Sequence, residues 1–243
     1  MLVGIANTLT KLWSRPHKLK WAGKNGEYQR YIELGYPSNH TYKIKNNTLI
    51  PKYKLATRYK KIRKLFPNHL TSLAEIGCSK GFFIFAAATY PHCNRGLGID
   101  VNPYHIEVCH WVKKTIGNTR ASFTKMQLHE LAPRIEEFGG PFQTVLILNT
   151  YQYLYFGSDA FPECYLDHDA IFSHLRQICA QRIIFNNRIA LEDCQNVKPI
   201  AEASEHLKKN YSEKKALEAA SKYFTIRRDG KIGKYPLLTL EVK

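Results

Sequence analysis

The sequence predicts an α/β fold: a doubly wound, mostly parallel sheet of seven strands, closed by a C-terminal antiparallel hairpin and preceded by a basic N-terminal extension. Three observations predict it. From Ser72 onward, short apolar runs alternate with amphipathic stretches of helical period, the pattern of parallel strands joined by crossover helices. Near the C-terminus two strand-like runs flank Asp229-Gly230, a turn suited to antiparallel strands. The stretch SLAEIGCSKGFFIF, residues 72–85, is a strand that ends in an acid and is followed by small residues at 77, 79 and 81. In a doubly wound sheet that bend lies at the carboxyl end of a strand, where ligands bind.

Each element has its own signal. Leu73 to Ile76 reads as the first strand and Gly81 to Ala88 as its helix; Gly96 to Asp100 reads as the second strand. Asn102-Pro103 opens the next helix, with Asn as N-cap and Pro at the first helical position. Ile106, Cys109, Val112 and Ile116 give that helix a buried face, and Gly117 ends it. Ala121 to Lys125 is the third strand, and Leu128, Leu131, Ile135 and Phe138 mark a helix before Gly139-Gly140. Thr144 to Leu148 is a buried strand, Ile171 to Ile178 a helix, and Arg182 to Phe185 a fifth strand. A charged helix is expected over residues 200–221, and Tyr223 to Arg228 and Leu237 to Val242 form the hairpin.

Charge divides the chain. Of a net +16 over 243 residues, residues 1–70 carry 15 Lys/Arg against 2 Asp/Glu, whereas residues 71–196 carry 10 against 12. The chain is therefore read as an extension, 1–70, and a domain, 71–243. Residues 2–13 place Leu2, Ile5, Leu9 and Leu12 at helical spacing, which suits a helix docked on the protein's own body. Pro37-Ser38-Asn39 and Asn46-Asn47 look like turns. Residues 52–66 put Leu55, Tyr59, Ile62 and Phe66 on one helical face, with lysines and arginines elsewhere. No run of about 18 apolar residues exists, so no membrane span is expected. None of the six cysteines forms a CxxC pair, which suggests reduced thiols in a cytoplasmic protein. No metal is expected, because the adjacent His-Cys pairs would point apart on a helix.

The bend constrains the ligand. Asp100 ends the second strand, where a carboxylate accepts hydrogen bonds from a ribose diol. A dinucleotide-binding GxGxxG fails at Ser79 and Phe82, and GxxxxGK[ST] is absent. What remains is acid-x-Gly-x-x-x-Gly with a second acid closing the next strand.

E-I-G-C-S-K-G-F-F followed by G-L-G-I-D resembles the first two motifs of the class I S-adenosylmethionine-dependent methyltransferases, over roughly residues 70–243. The resemblance departs from the pattern at Ser79, where the family carries a middle glycine. It implies S-adenosylmethionine as cofactor. Gly77 and Gly81 would let the loop wrap the methionine part, with Cys78, Ser79 and Lys80 supplying backbone and Glu75 near the ammonium. Asp100 would hold the ribose, Val101 would pack on the adenine, and Gln127 and Leu128 would fall at the adenine contact. Asn149 would face the methyl group, or simply cap its strand.

Oxygen and nitrogen acceptors both stay open. No Asn-Pro-Pro-aromatic run or Pro-Cys nucleophile follows the fourth strand, and no lysine matches the fifth-strand member of the ribose methyltransferase tetrad. Residues 149–167 form a tyrosine-rich linker from which Tyr151 or Tyr153 is expected in an acceptor pocket. Asn186 and Arg188, after the fifth strand, face the same side, and Arg188 is suited to grip a carboxylate or phosphate. Three readings stay open. The basic extension docks RNA, a reading favoured by the concentration of charge in one segment. The extension is a lid over a small-molecule (metabolite or glycan) pocket. Or the fold is a non-catalytic cofactor-binding scaffold.

Overall fold

A computed structural model describes residues 23–158, 162–194 and 205–243. The helix expected over residues 2–13 lies outside the described residues, as does the first part of the helix expected from residue 200. The expected seven-stranded sheet is present. Its strands are β3 (Ser72–Ile76), β4 (Arg95–Asp100), β5 (Ala121–Lys125), β6 (Phe142–Leu148), β7 (Cys179–Asn186), β8 (Phe224–Ile232) and β9 (Tyr235–Val242). They lie in the order β5-β4-β3-β6-β7-β9-β8. β3 to β7 pair in parallel and β9 pairs antiparallel with both β7 and β8. Chain order reverses between β3 and β6, so the crevice opens beside the carboxyl end of β3.

The crossover helices are α3 (Phe82–Ala87), α4 (Pro103–Ile116), the short α5 (Leu128–Leu131), α6 (Tyr151–Phe156) and α7 (His168–Ile178). The caps of α4 follow the sequence: the Asn102 side chain accepts from the Tyr104 amide, and Gly117 takes a left-handed conformation at the C-terminus. Two expectations are corrected. The linker after β6 is not a loop throughout, since residues 151–156 are helical. The charged helix is two pieces, α8 (Glu205–Asn210) and α9 (Glu213–Tyr223). Ser212 breaks it because its side chain caps α9 by accepting from the Lys215 amide.

Before the sheet come α1 (Gly23–Leu34), a hairpin of β1 (Tyr42–Lys45) and β2 (Thr48–Pro51), and α2 (Tyr53–Ile62). These do not stand apart. Tyr28, Ile32, Tyr42, Leu55, Ile62 and Phe66 form one buried cluster with Phe82, Phe83 and Phe85 of α3 and with Val108 and Val112 of α4. The α1 surface is also tied to α4 by polar contacts: Tyr28 donates to Glu107 at 2.7 Å, and Tyr104 donates to Glu27 at 3.2 Å. Ile32 is fully buried in this shared cluster. Ile32→Ala is therefore expected to cost about 2–5 kcal/mol and to lower a single unfolding transition, as read by urea denaturation with two probes.

The opposite face of the sheet packs α7 and α9 around an aromatic group. Tyr151, Tyr155 and Tyr211 surround His168. His168 Nε2 lies 3.1 Å from the Asn210 carbonyl, so it donates there, and Nδ1 accepts from the Tyr151 hydroxyl at 2.6 Å. Burial lowers its pKa from 6.5 to about 4. The unfolded chain binds this proton first as pH falls, so the contribution is full above pH 6.5 and is lost between 6.5 and about 4. His168→Phe is expected to flatten that part of the stability–pH curve, measured by urea midpoints across the range.

Candidate functional site

The bend after β3 is shaped by alternating backbone signs. Gly77, Ser79 and Gly81 have φ of 75°, 49° and 71°, all in the left-handed region that side chains disfavour. Ser79 is the costly member, and Asp100 holds it there: the Ser79 amide donates to Asp100 Oδ2 at 2.8 Å. Asp100 Oδ1 accepts from the Asn102 amide at 2.9 Å and lies 3.2 Å from His105 Nδ1. The Gly77 and Cys78 amides both donate to the Ile99 carbonyl at 2.9 Å. The ends of β3 and β4 are thus bound to one another through the bend, and the missing side chain at Gly77 leaves room for Thr150. A Cβ there would lie 2.4 Å from Thr150 Oγ1.

Above the bend is a cavity of about 280 Å³. Of the expected cofactor residues, Gly77, Ser79, Asp100, Val101, Gln127, Leu128 and Asn149 line it. Cys78, Lys80 and Gly81 do not, because their side of the loop faces the core. Lys80 is buried; its Nζ donates to the Gly35 carbonyl at 2.6 Å and lies over the Tyr31 ring, and burial draws its pKa to about 7. Glu75 lies below the lining, fully buried, with neither carboxylate oxygen hydrogen-bonded among the described residues. Burial pushes its pKa well above the usual carboxylate range; nearby Arg58 offsets only part of that, and the Asp100 charge adds to it.

Among the expected acceptor residues only Tyr153 reaches the cavity wall, where it is 37% exposed. Tyr151 is not there. The two-residue offset on α6, about half a turn, points it inward, and it is fully buried against His168. Asn186 is also structural, donating to the carbonyls of Tyr235 and Pro236. Arg188 acts behind the wall, donating to Asn149 Oδ1 at 3.1 Å and lying over the Tyr235 ring.

The extension contributes a part of the site that no local pattern announces. Tyr36, Pro37 and His40, in the turn between α1 and β1, form part of the cavity wall. The Pro37-Ser38-Asn39 turn is legible in the sequence, but its place over a cavity built by β3 and β4 is not. Thr150, Ser158 and Glu163 also line the cavity. The lining includes Asp100 and Glu163 but, among the described residues, no lysine or arginine. Among the described residues there is no group of three or more His, Cys, Asp or Glu that could hold a metal, and no helix long and apolar enough to cross a membrane.

No protein-family model matches the sequence, and no curated protein does. Solved structures are similar in fold. The N-terminal domain of EvdMO1 with SAH bound has a TM-score of 0.53 at 15% identity, over 77% of this chain and 81% of that one. The N-methyltransferase NodS from Bradyrhizobium japonicum WM9 has a TM-score of 0.50 at 16% identity, over 77% and 94%. The bifunctional kinase-methyltransferase WbdD has a TM-score of 0.50 at 16% identity, over 78% of this chain and 38% of that one. This chain thus spans well under half the length of WbdD.

Proposed function

Starting from the class I S-adenosylmethionine-dependent methyltransferase fold that this chain has, we propose that it transfers a methyl group from S-adenosylmethionine to an oxygen or nitrogen of a small-molecule acceptor. The observation that carries this is the bond between the Ser79 amide and Asp100 on one cavity wall. The residues fit the cofactor. The buried Glu75 carboxylate, without a hydrogen-bond partner among the described residues, suits an ammonium. The bare Gly77 backbone permits close approach. Asp100 Oδ2 keeps a second lone pair for a ribose hydroxyl, and Val101 and Leu128 offer apolar contact to a base. Bound there, the cofactor supplies an electrophilic methyl on a sulfonium. The protein's task is to hold an acceptor atom in line with it.

Residues 71–243 act as the cofactor domain and residues 23–70 roof its cavity. The acceptor enters past Tyr36 and Tyr153. An acid-bearing lining without lysine or arginine among the described residues disfavours phosphate-rich acceptors. The RNA reading rests on exposed Lys54, Lys60, Lys61, Arg63 and Lys64, which have no carboxylate partner among the described ion pairs. Five buried, free cysteines suit a reducing compartment such as the cytoplasm.

Calorimetry with S-adenosylhomocysteine tests the cofactor, and absence of heat or thermal shift would favour the scaffold reading. Incubation with methyl-labelled S-adenosylmethionine and either a metabolite extract or bulk tRNA tests the acceptor. Label is expected in the small-molecule fraction; label in tRNA alone would overturn that assignment.

A further inference from the structure

The roof of the cavity contains a histidine whose protonation pattern is fixed by a second residue of the extension. His40 is 7% exposed and lines the cavity. Its Nε2 lies 2.6 Å from Nη1 of Arg58, which is itself 3% exposed. Guanidinium only donates, so Nε2 must accept, and the ring proton of neutral His40 sits on Nδ1. That N–H has no hydrogen-bond partner among the described residues. Burial and the Arg58 charge both keep the ring neutral.

Arg58 has a second neighbour. It lies near enough to Glu75 for each to feel the other's charge, though no ion pair joins them among the described residues. Two opposed binding functions therefore meet around Arg58. Glu75 holds two buried carboxyl oxygens without hydrogen-bond partners among the described residues, below the lining, and His40, in the lining, has an N–H backed by the Arg58 charge. With no lysine or arginine in the described lining, this N–H carries the influence of that charge to the cavity surface. An α-amino acid end has one ammonium and one carboxylate, and the pair complements both.

Resting on the cofactor reading above, we propose that His40, held in its Nδ1–H tautomer by Arg58, is a binding residue for the carboxylate of the amino-acid end of S-adenosylmethionine. Arg58 is a positioning residue that acts through His40. With Nε2 committed to Arg58 and Nδ1 protonated, His40 is a donor and not the general base of the reaction.

The test compares S-adenosylhomocysteine with decarboxylated S-adenosylhomocysteine, which keeps the ammonium and lacks the carboxylate. Calorimetry on the whole protein should show His40→Phe weakening the first by roughly tenfold or more, the range for a hydrogen bond to a charged group, while leaving the second unchanged. Equal losses for both ligands, or no loss for the first, would overturn the proposal. Should the wild type bind neither ligand, the cofactor reading falls and this one with it. If His40→Phe does not fold, the wild type still decides. Nitrogen NMR of labelled histidine should report a protonated Nδ1 and an unprotonated Nε2, with Nδ1 shifting on addition of S-adenosylhomocysteine and not of its decarboxylated form. A protonated Nε2, or the same shift with both ligands, counts against it.

Discussion

Gly77→Ala is expected to lower affinity for S-adenosylhomocysteine by about a hundredfold, with a drop in melting temperature. Two costs combine. A side chain at φ 75° costs about 1–2 kcal/mol. The new methyl would also lie 2.4 Å from Thr150 Oγ1 and 2.8 Å from Thr150 Cγ2, and relieving such an overlap costs about 1–3 kcal/mol. The two sources can be separated. Thr150→Ala removes both overlapping atoms and leaves the dihedral strain, so the double variant should recover roughly half of the lost binding free energy, in keeping with those two ranges. A double variant no better than Gly77→Ala would show that crowding by Thr150 is not the cause. Calorimetry and thermal melts on the three variants make the comparison.

Asp100→Asn should be at least as damaging. Both carboxylate oxygens already accept a backbone amide, from Asn102 and from Ser79. A carboxamide has one oxygen, so one amide N–H would face an NH₂ group. If the Ser79 contact is the one lost, the left-handed Ser79 backbone is released and the bend can relax. Hydrogen bonds to charged groups contribute about 1.5–3 kcal/mol each, and the ribose contact would be weakened as well. The expected result is a loss of two orders of magnitude or more in S-adenosylhomocysteine affinity. Adenosine, which shares the ribose, should lose affinity too, and retention of adenosine binding would remove Asp100 from the ribose contact.

Much of the architecture can be read from residue order because the strands of a doubly wound sheet are local apolar runs with their own caps. β3, β4, β5 and the α4 caps fall where the sequence puts them. The bend is legible for the same reason, since three left-handed positions two residues apart need small side chains. What escapes is nonlocal. Tyr151 and Tyr153 are alike in composition, and only the turn of α6 sends one into the core and the other to the cavity. The basic extension reads as an attachment because charge hides burial: Arg58 is among the most enclosed residues of α2. The cavity wall at Tyr36 and His40 depends on the packing of α1 against α4, which no local pattern reports.

Lys80 has both its ends gripped by that wall. Its carbonyl accepts from the Tyr42 hydroxyl at 2.6 Å, and its side-chain nitrogen reaches the carbonyls of Gly35 and Pro37 at 2.6 and 3.4 Å. Most surface turns tolerate an added or deleted residue. The turn from Gly35 to Tyr42 has no such freedom, because a change in its length would pull on the residue between Ser79 and Gly81. Insertions there are expected to disturb the bend, although 38 positions of chain separate Tyr42 from Lys80.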